Sequence, residues 1–408
     1  MKPASVSTKQ ERIAKLAREN PAMAFTSLNH YLDVEWMEYA YECTRKDGAV
    51  GVDGQTAEEY AVDLQHNLTD LIDRLKSGRY RAPPVRRHYI DKPGGDKRGL
   101  GIPCFEDKVA QRAIVMLLEP IHEQDFLSCS FGFRPGRNAH QALEVLRSRI
   151  MEQRGYWVVE VDIRKFFDRL PRTTLRDSIA GRVTDGVVRR LIDKWLKAGV
   201  LESGQVHFPD AGTPQGSVIS PILSNVAPHH VVDEWFTQTV QPRLRGPSTL
   251  VRFCDDFVML FAHKEDAERV LAVLGKRLGK FGLQLHPDKT RLVDFRPRRG
   301  PGDRGESSLP TSSSGSAMSG EHRGRGTRSC SSSQRTIALR VRSRRSINNA
   351  GSCGIGRLNC NANACVRCSM ATMATLASAV TAGAWASCIF GCGACGTRGY
   401  RGDRGRAS

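Results

Sequence analysis

Three carboxylates and a few cations carry the chemistry that this sequence can do. Asp255 and Asp256 are adjacent in Phe253-Cys254-Asp255-Asp256, between Val251-Arg252 and the apolar run Phe257-Val258-Met259-Leu260-Phe261. Both flanks are rich in β-formers, so the stretch predicts a tight hairpin with the acidic pair at its turn. On a straight strand neighbouring side chains point to opposite faces. A turn relaxes that constraint and lets both carboxylates approach one point. Asp162 ends an alternating stretch in which Trp157, Val159 and Val161 share one face. Three carboxylates converging on one point repel unless divalent cations occupy it. Mg²⁺ prefers oxygen ligands and keeps waters, so two or three carboxylates plus substrate phosphates suffice to hold it. Two such ions clamp the attacking and leaving oxygens of an in-line phosphoryl transfer. Alone, an Asp pair reads equally well as a polar turn, and the rest of the chain decides between the two.

The elements around these residues predict how they are positioned. Residues 88–103 (HYIDKPGGDKRGLGIP) read as strand, glycine turn, strand, with Lys92 and Arg98 on either side of the turn. A loop carrying two cations can close over phosphates. Gly212-Thr213-Pro214-Gln215-Gly216-Ser217 is a compact loop, and Phe131 to Gly136 is a rigid one expected to expose Arg134 and Arg137. Helical spacing runs over 25–47, 56–76, 106–120, 139–151, 186–199, 219–236 and 265–281, and a strand over 291–295. Helices interleaved with short, mostly antiparallel strands predict an α+β fold.

At 408 residues the chain has room for two or three domains. It has no apolar run near bilayer-spanning length, and residues 1–20 lack the apolar core of a signal peptide, so a cytoplasmic protein is expected. The net charge of +18 suggests a nucleic-acid partner, but its distribution weakens the argument. From Arg296 onward there are 18 Arg, no Lys and four acids, which accounts for +14 and leaves about +4 for the first 295 residues. Cysteine is skewed likewise. Cys43, Cys104, Cys129 and Cys254 are scattered and read as free thiols of a reducing compartment, while eight more fall from Cys330 onward.

Taken together the motifs resemble a known family. VVEVDIRKFFD resembles the first catalytic motif of reverse transcriptases, GTPQGSVISPILSN their substrate and template motif, FCDD a variant of their Tyr-Ala-Asp-Asp box, and GLQLHPDKTRLVDF the motif that follows. AVGVDGQT, KSGRYRAPPVRR, RGLGIPCFEDKVAQRAI and FGFRPGRNAHQAL narrow the resemblance to the bacterial group II intron reverse transcriptase/maturase. The likeness covers about residues 25–295. Departures are Phe253 and Cys254 in the box, Gly99 for a usual Pro, Ser217 for a usual Gly, and Ala227-Pro228 where the family has a tyrosine-containing helix.

The resemblance implies a right-hand polymerase: fingers and an RNA-binding segment over 25–155 and a palm with an antiparallel sheet over 156–295, after a polar extension at 1–24. Asp162, Asp255 and Asp256 would hold two Mg²⁺ ions, with the backbone carbonyl of Ile163 helping to hold the second. Lys92 and Arg98 would grip the triphosphate of the incoming dNTP. Phe167 or Phe166 would stack under the sugar, and Gln215 and Gly216 would line the nucleotide pocket. Lys289 would give a proton to the leaving pyrophosphate. Implied partners are an intron RNA template, a DNA primer or target, and dNTPs, with no membrane. An alternative is an RNA-binding splicing cofactor that does not polymerise, and another is the inert product of a damaged element. Oligomeric state is not encoded legibly.

After Phe295 the composition turns to Ser, Gly and Arg, and the hydrophobic periodicity ends. Cys365-x2-Cys368 and Cys392-x2-Cys395 have a zinc-ribbon spacing. A change of reading frame accounts for more. Codons for Met370–Ala377, shifted by one base, can encode Gly-His-Tyr-Gly-Tyr-Phe-Gly, which resembles a thumb motif of the family. The same shift can encode Phe-Ala-Asp-Phe over Ser308–Ser312 and Leu-Gly-Phe-Gly over Ser313–Ala317, which resemble parts of the motif expected after Phe295. The frame change is placed within 296–307, and residues 296–408 are expected to be a largely disordered tail in which the thumb is absent or disordered.

Overall fold

The computed structural model describes residues 2–91, 97–153, 155–208, 212 and 216–296. Lys92, Gln215 and the tail from 297 onward lie outside the described residues, and so do the zinc-ribbon spacing and the frame change read there.

The chain opens on α1 (Ala4–Glu19), longer and better anchored than a polar extension would be. Its Val6, Ile13 and Ala17 fall on one helical face and are buried against α5 (Phe105–Asp125). The sequence predicts that α5 stops at Pro120, yet it continues to Asp125. Proline cannot donate to the carbonyl four residues back. That carbonyl, on Met116, instead accepts from Gln10 Nε2 at 2.9 Å, so a side chain of α1 repairs the bond that Pro120 removes.

The helix read over 25–47 is shorter, α2 (Val34–Cys43), capped by Asp33 accepting from the Trp36 N–H. The one read over 56–76 is broken. α3 (Ala57–Ala61) starts in a capping box between Thr56 and Glu59, and α4 (Leu64–Ser77) ends at Gly78 with φ +79°. Two strands follow, β1 (Val85–Asp91) and β2 (Lys97–Ile102), paired antiparallel. After α5 come α6 (Ala139–Gln153), β3 (Trp157–Val161), α7 (Phe166–Arg169), α8 (Arg172–Ala180) and α9 (Gly186–Lys197). Asp185 caps α9 with one carboxylate oxygen on the Val187 and Val188 N–H groups, and uses the other on Leu28 and Asn29, tying the helix start to the N-terminal third. β4 (Val200–Glu202) runs parallel to β1 and antiparallel to β5 (Gln205–His207), giving a first sheet in the order β2-β1-β4-β5.

The segment read as one helix over 219–236 is α10 (Ser220–Pro228) followed by wider π-helical turns over His229–Asp233 and Trp235–Val240. β6 (Ser248–Phe253), β7 (Asp256–Phe261), α11 (Lys264–Gly279) and β8 (Arg291–Asp294) complete the described chain. The second sheet has the order β6-β7-β3-β8, antiparallel throughout, in agreement with the α+β reading.

This second sheet carries the acidic hairpin, and both of its faces are covered. Val159, Val161, Leu250, Phe257, Met259 and Phe261 join the main core with the helices. Val158, Val251 and Leu260 point the other way, into a smaller core with Phe131, Ala142 and Ile150. At about 1.5–3 kcal/mol per buried aliphatic or aromatic side chain, this double burial fixes the strand register, because a one-residue slip would exchange the two sets.

Arg134 corrects an expectation. It is not exposed but buried, paired with Glu123 at 2.9 Å and donating to the Leu127 and Ser130 carbonyls. Among the described residues no helix is long and apolar enough to cross a membrane. The four scattered cysteines are free. Burial pushes the Cys104 thiol up to about 11 and the Cys129 thiol up to about 12, and Cys254 is buried and raised as well. Cys43 is exposed. Brief iodoacetamide treatment at pH 8 followed by peptide mapping is therefore expected to label Cys43 well ahead of the other three.

Candidate active site

The turn between β6 and β7 is the tightest point of the second sheet. Phe253 pairs with Asp256, leaving Cys254 and Asp255 as the two-residue connection. Short hairpins of this kind need positive φ in the loop, and Cys254 supplies it with φ +62°. A non-glycine residue in this region costs roughly 1–3 kcal/mol unless its surroundings over-determine it. Here they do. The Cys254 carbonyl accepts from Arg252 Nη1 at 2.9 Å, and the backbone of Gly132 packs directly on the thiol. A Cβ on Gly132 would lie 2.4 Å from Cys254 Sγ and 2.6 Å from its backbone nitrogen. Gly132→Ala is therefore expected to cost about 1–3 kcal/mol and to displace the turn, lowering the thermal midpoint and any activity of the site together.

Register brings in the third carboxylate. Val161 of β3 lies opposite Phe257 of β7, so one step further sets Asp162 level with Asp256. Asp162 is itself clasped by the segment before β8. Its carbonyl accepts from the His286 N–H at 2.8 Å and from Thr290 Oγ1 at 3.4 Å, Ile163 bridges Leu285, and Arg164 N–H donates to Gln284. The same segment delivers Lys289, whose Nζ sits 2.9 Å from Asp162 Oδ2.

The electrostatics are those of a crowded anionic point. Burial pushes the Asp255 carboxyl up to about 6, with the Asp162 charge adding to the rise and Arg98 and Arg252 opposing it. Burial, then Asp255 and Asp162, push Asp256 up to about 8, against the pull of Lys289 and Arg98. Asp255 Oδ1 is buried and has no hydrogen-bond partner. A buried, unpartnered carboxylate oxygen among like charges is costly, and an all-oxygen donor set of this kind suits a hard divalent cation. The residues present therefore fit such an ion.

Of the other residues singled out by sequence, Arg98 lies on β2, half-buried, with its charge felt by both Asp255 and Asp256. Gly216 has φ +104°, and a Cβ there would lie 2.9 Å from the Gly101 carbonyl, so its loop rests on β2. Phe166 and Phe167 are both buried, with ring centroids 5.4 Å apart in an edge-on arrangement. The structure thus brings together the three carboxylates, Lys289 and Arg98, and seats Gly216 beside the strand that carries Arg98.

Sequence reasoning missed the support beneath the turn. Arg252 is fully buried and binds Asp233 through Nε at 2.8 Å and Nη2 at 2.6 Å, Asn225 Oδ1 at 3.0 Å, and Ser130 Oγ at 2.8 Å. Burial pushes Asp233 up, but the Arg252 charge overrides it and holds the carboxyl below its usual range. Asn225 in turn donates to the Gly132 carbonyl at 2.6 Å. The available signal was a lone Arg inside the apolar strand Leu250-Val251-Arg252-Phe253, since a charge in a doubly covered strand requires a buried partner.

The sequence matches the reverse transcriptase (RNA-dependent DNA polymerase) family over residues 90–316, more than half of the chain. The chain belongs to that family. Its relatives agree. It is 32% identical to protein YkfC of Escherichia coli K12, over 70% of this chain and 84% of that protein. It is 38% identical to the group II intron-encoded protein LtrA of Lactococcus lactis subsp. cremoris, over 54% of this chain but 37% of LtrA. It is 35% identical to the mitochondrial nuclear intron maturase 1 of Arabidopsis thaliana, over 43% of this chain and 27% of that protein. The chain thus matches most of YkfC and little more than a third of LtrA. The resemblance to group II intron reverse transcriptases and maturases read from the motifs is borne out. Membership brings a nucleic-acid template and primer as substrates and divalent metal ions as helpers.

Proposed function

We propose that this reverse transcriptase extends a primer 3′-hydroxyl with dNTPs on an intron RNA template, residues 25–155 forming the fingers and 156–295 the palm. The observation that carries this is the meeting of Asp162, Asp255 and Asp256 at one point, set by the β3–β7 register and the β6–β7 turn. When bound by these carboxylates and the Ile163 carbonyl, two Mg²⁺ ions supply charge neutralisation and a clamp for the attacking and leaving oxygens. Arg98, with Lys92, orients the dNTP triphosphate. Gln215 and Gly216 line the nucleotide pocket. Phe167 packs beneath the sugar and excludes a 2′-hydroxyl, while the more deeply buried Phe166 supports it. Lys289 is 63% exposed and free to swing from Asp162 to hold a proton for the departing pyrophosphate.

A splicing role rests on the intron maturases among the relatives. Primer extension and intron splicing by the Asp255→Asn chain separate the two roles: polymerisation needs this carboxylate and splicing does not. A cytoplasmic location, a DNA target and a thumb encoded out of frame belong to the same proposal. The nucleotide sequence of codons 296–307, read in all three frames, checks the last.

A further inference from the structure

The π-helical turn that follows α10 carries a second cluster of ligand-bearing side chains that polymerisation does not use. His229, His230 and Glu234 each offer one donor atom, and these atoms all lie within 4.8 Å of one another. His229 Nε2 is 3.5 Å from one Glu234 oxygen, and His230 Nδ1 is 2.8 Å from the other.

The local backbone creates this meeting. On an ordinary α-helix, residues five apart lie about 140° apart around the axis, so His229 and Glu234 would face different ways. Here the chain widens into a π-turn directly after Pro228, and the Glu234 N–H donates to the His229 carbonyl five residues back. That bond stacks Glu234 beside His229. π-turns inside helices occur frequently at functional sites.

The surroundings suit an ion. His229 is buried against the ring of Phe126, and its Nδ1 is buried without a hydrogen-bond partner, 3.9 Å from the carboxylate of Asp233. Nε2, on the other side of the ring, faces Glu234. His230 and Glu234 are each about one-third exposed, which opens the cluster to solvent. Two imidazoles and one carboxylate form a nitrogen-rich set unlike the all-oxygen centre at Asp162, Asp255 and Asp256, and such a set selects Zn²⁺ over Mg²⁺.

We propose that His229, His230 and Glu234 bind one Zn²⁺ ion, water completing its coordination, on the π-helical turn that follows α10. Through His229 the ion sits behind Asp233, which holds Arg252, whose guanidinium holds the Cys254 carbonyl at the catalytic turn.

Calorimetric titration with Zn²⁺ in excess Mg²⁺ tests this on the full chain, with cysteines first blocked by iodoacetamide so that tail thiols do not compete. The expected result is one equivalent bound by the wild-type chain and by Asp255→Asn. In His230→Ala and, independently, in Glu234→Gln, the affinity for that equivalent is expected to fall by roughly ten- to a hundred-fold or more. A wild-type chain that takes up no such equivalent overturns the proposal, as do two variants that both retain it.

Discussion

Primer extension on an RNA template is expected to fall about a hundred- to a thousand-fold when Asp255 becomes Asn, the scale on which loss of one preorganised electrostatic group acts. The side chain keeps its shape, so the turn is expected to stay folded. What is lost is one of three negative charges, and with it the grip on divalent cations. The same substitution removes a repulsion, since the Asp255 charge raises the cost of ionising Asp256 and the Asp162 charge that of Asp255. Without metal the variant is therefore expected to be at least as resistant to urea as the wild type. Loss of activity without loss of stability is the signature of a ligand carboxylate. Extension at a near wild-type rate would sink the metal assignment, whereas lost extension with retained splicing would leave a maturase whose polymerase site is separable.

The largest effect on stability is expected at Arg252. Changing it to Ala removes the partner of Asp233, which is as fully buried as the arginine itself. Breaking a buried pair from one side costs about 3–5 kcal/mol, because the remaining charge has no solvent. Against a total stability of about 5–15 kcal/mol that is a large share. The guanidinium also donates to the Cys254 carbonyl, so the turn loses the bond that holds its left-handed residue. Urea unfolding of Arg252→Ala, Asp233→Leu and the double variant Arg252→Met/Asp233→Leu separates these contributions. Each single change is expected to be worse than the double one, which replaces the ion pair with apolar packing. A harmless Arg252→Ala would show that the pair is not what fixes the turn.

The reach of the sequence was uneven for physical reasons. The acidic hairpin and the β3 strand were legible because period-two alternation and turn chemistry are local signals. The helix interruptions were not, because their causes are tertiary. α5 runs through Pro120 only because Gln10, more than a hundred residues away, satisfies the Met116 carbonyl. The widening at His229 directly follows Pro228, through which the spacing over 219–236 reads as one unbroken helix. Arg134 read as an exposed cation because nothing nearby in sequence announces Glu123 as its partner across the α5 end. The family motifs point to Asp162, Asp255, Asp256 and Lys289, which the structure sets at strand ends and turns. They leave out Arg252 and Asp233 and give no role to Asn225, the last residue of GTPQGSVISPILSN, although all three hold the turn in shape.

The pairing of β3 with β7 makes spacing, and not only residue identity, part of what brings the three carboxylates together. Asp162 and Asp256 are level because each lies one step beyond the pair Val161–Phe257. Inserting or deleting a single residue inside either strand would leave all three aspartates in the sequence and still disperse them, since the side chains beyond the change would swap faces. The strands can drift in composition as long as apolar residues alternate, but they cannot drift in length. Counting residues from Trp157 to Asp162 and from Asp256 to Phe261 is thus a stricter check on a related chain than scoring its similarity there.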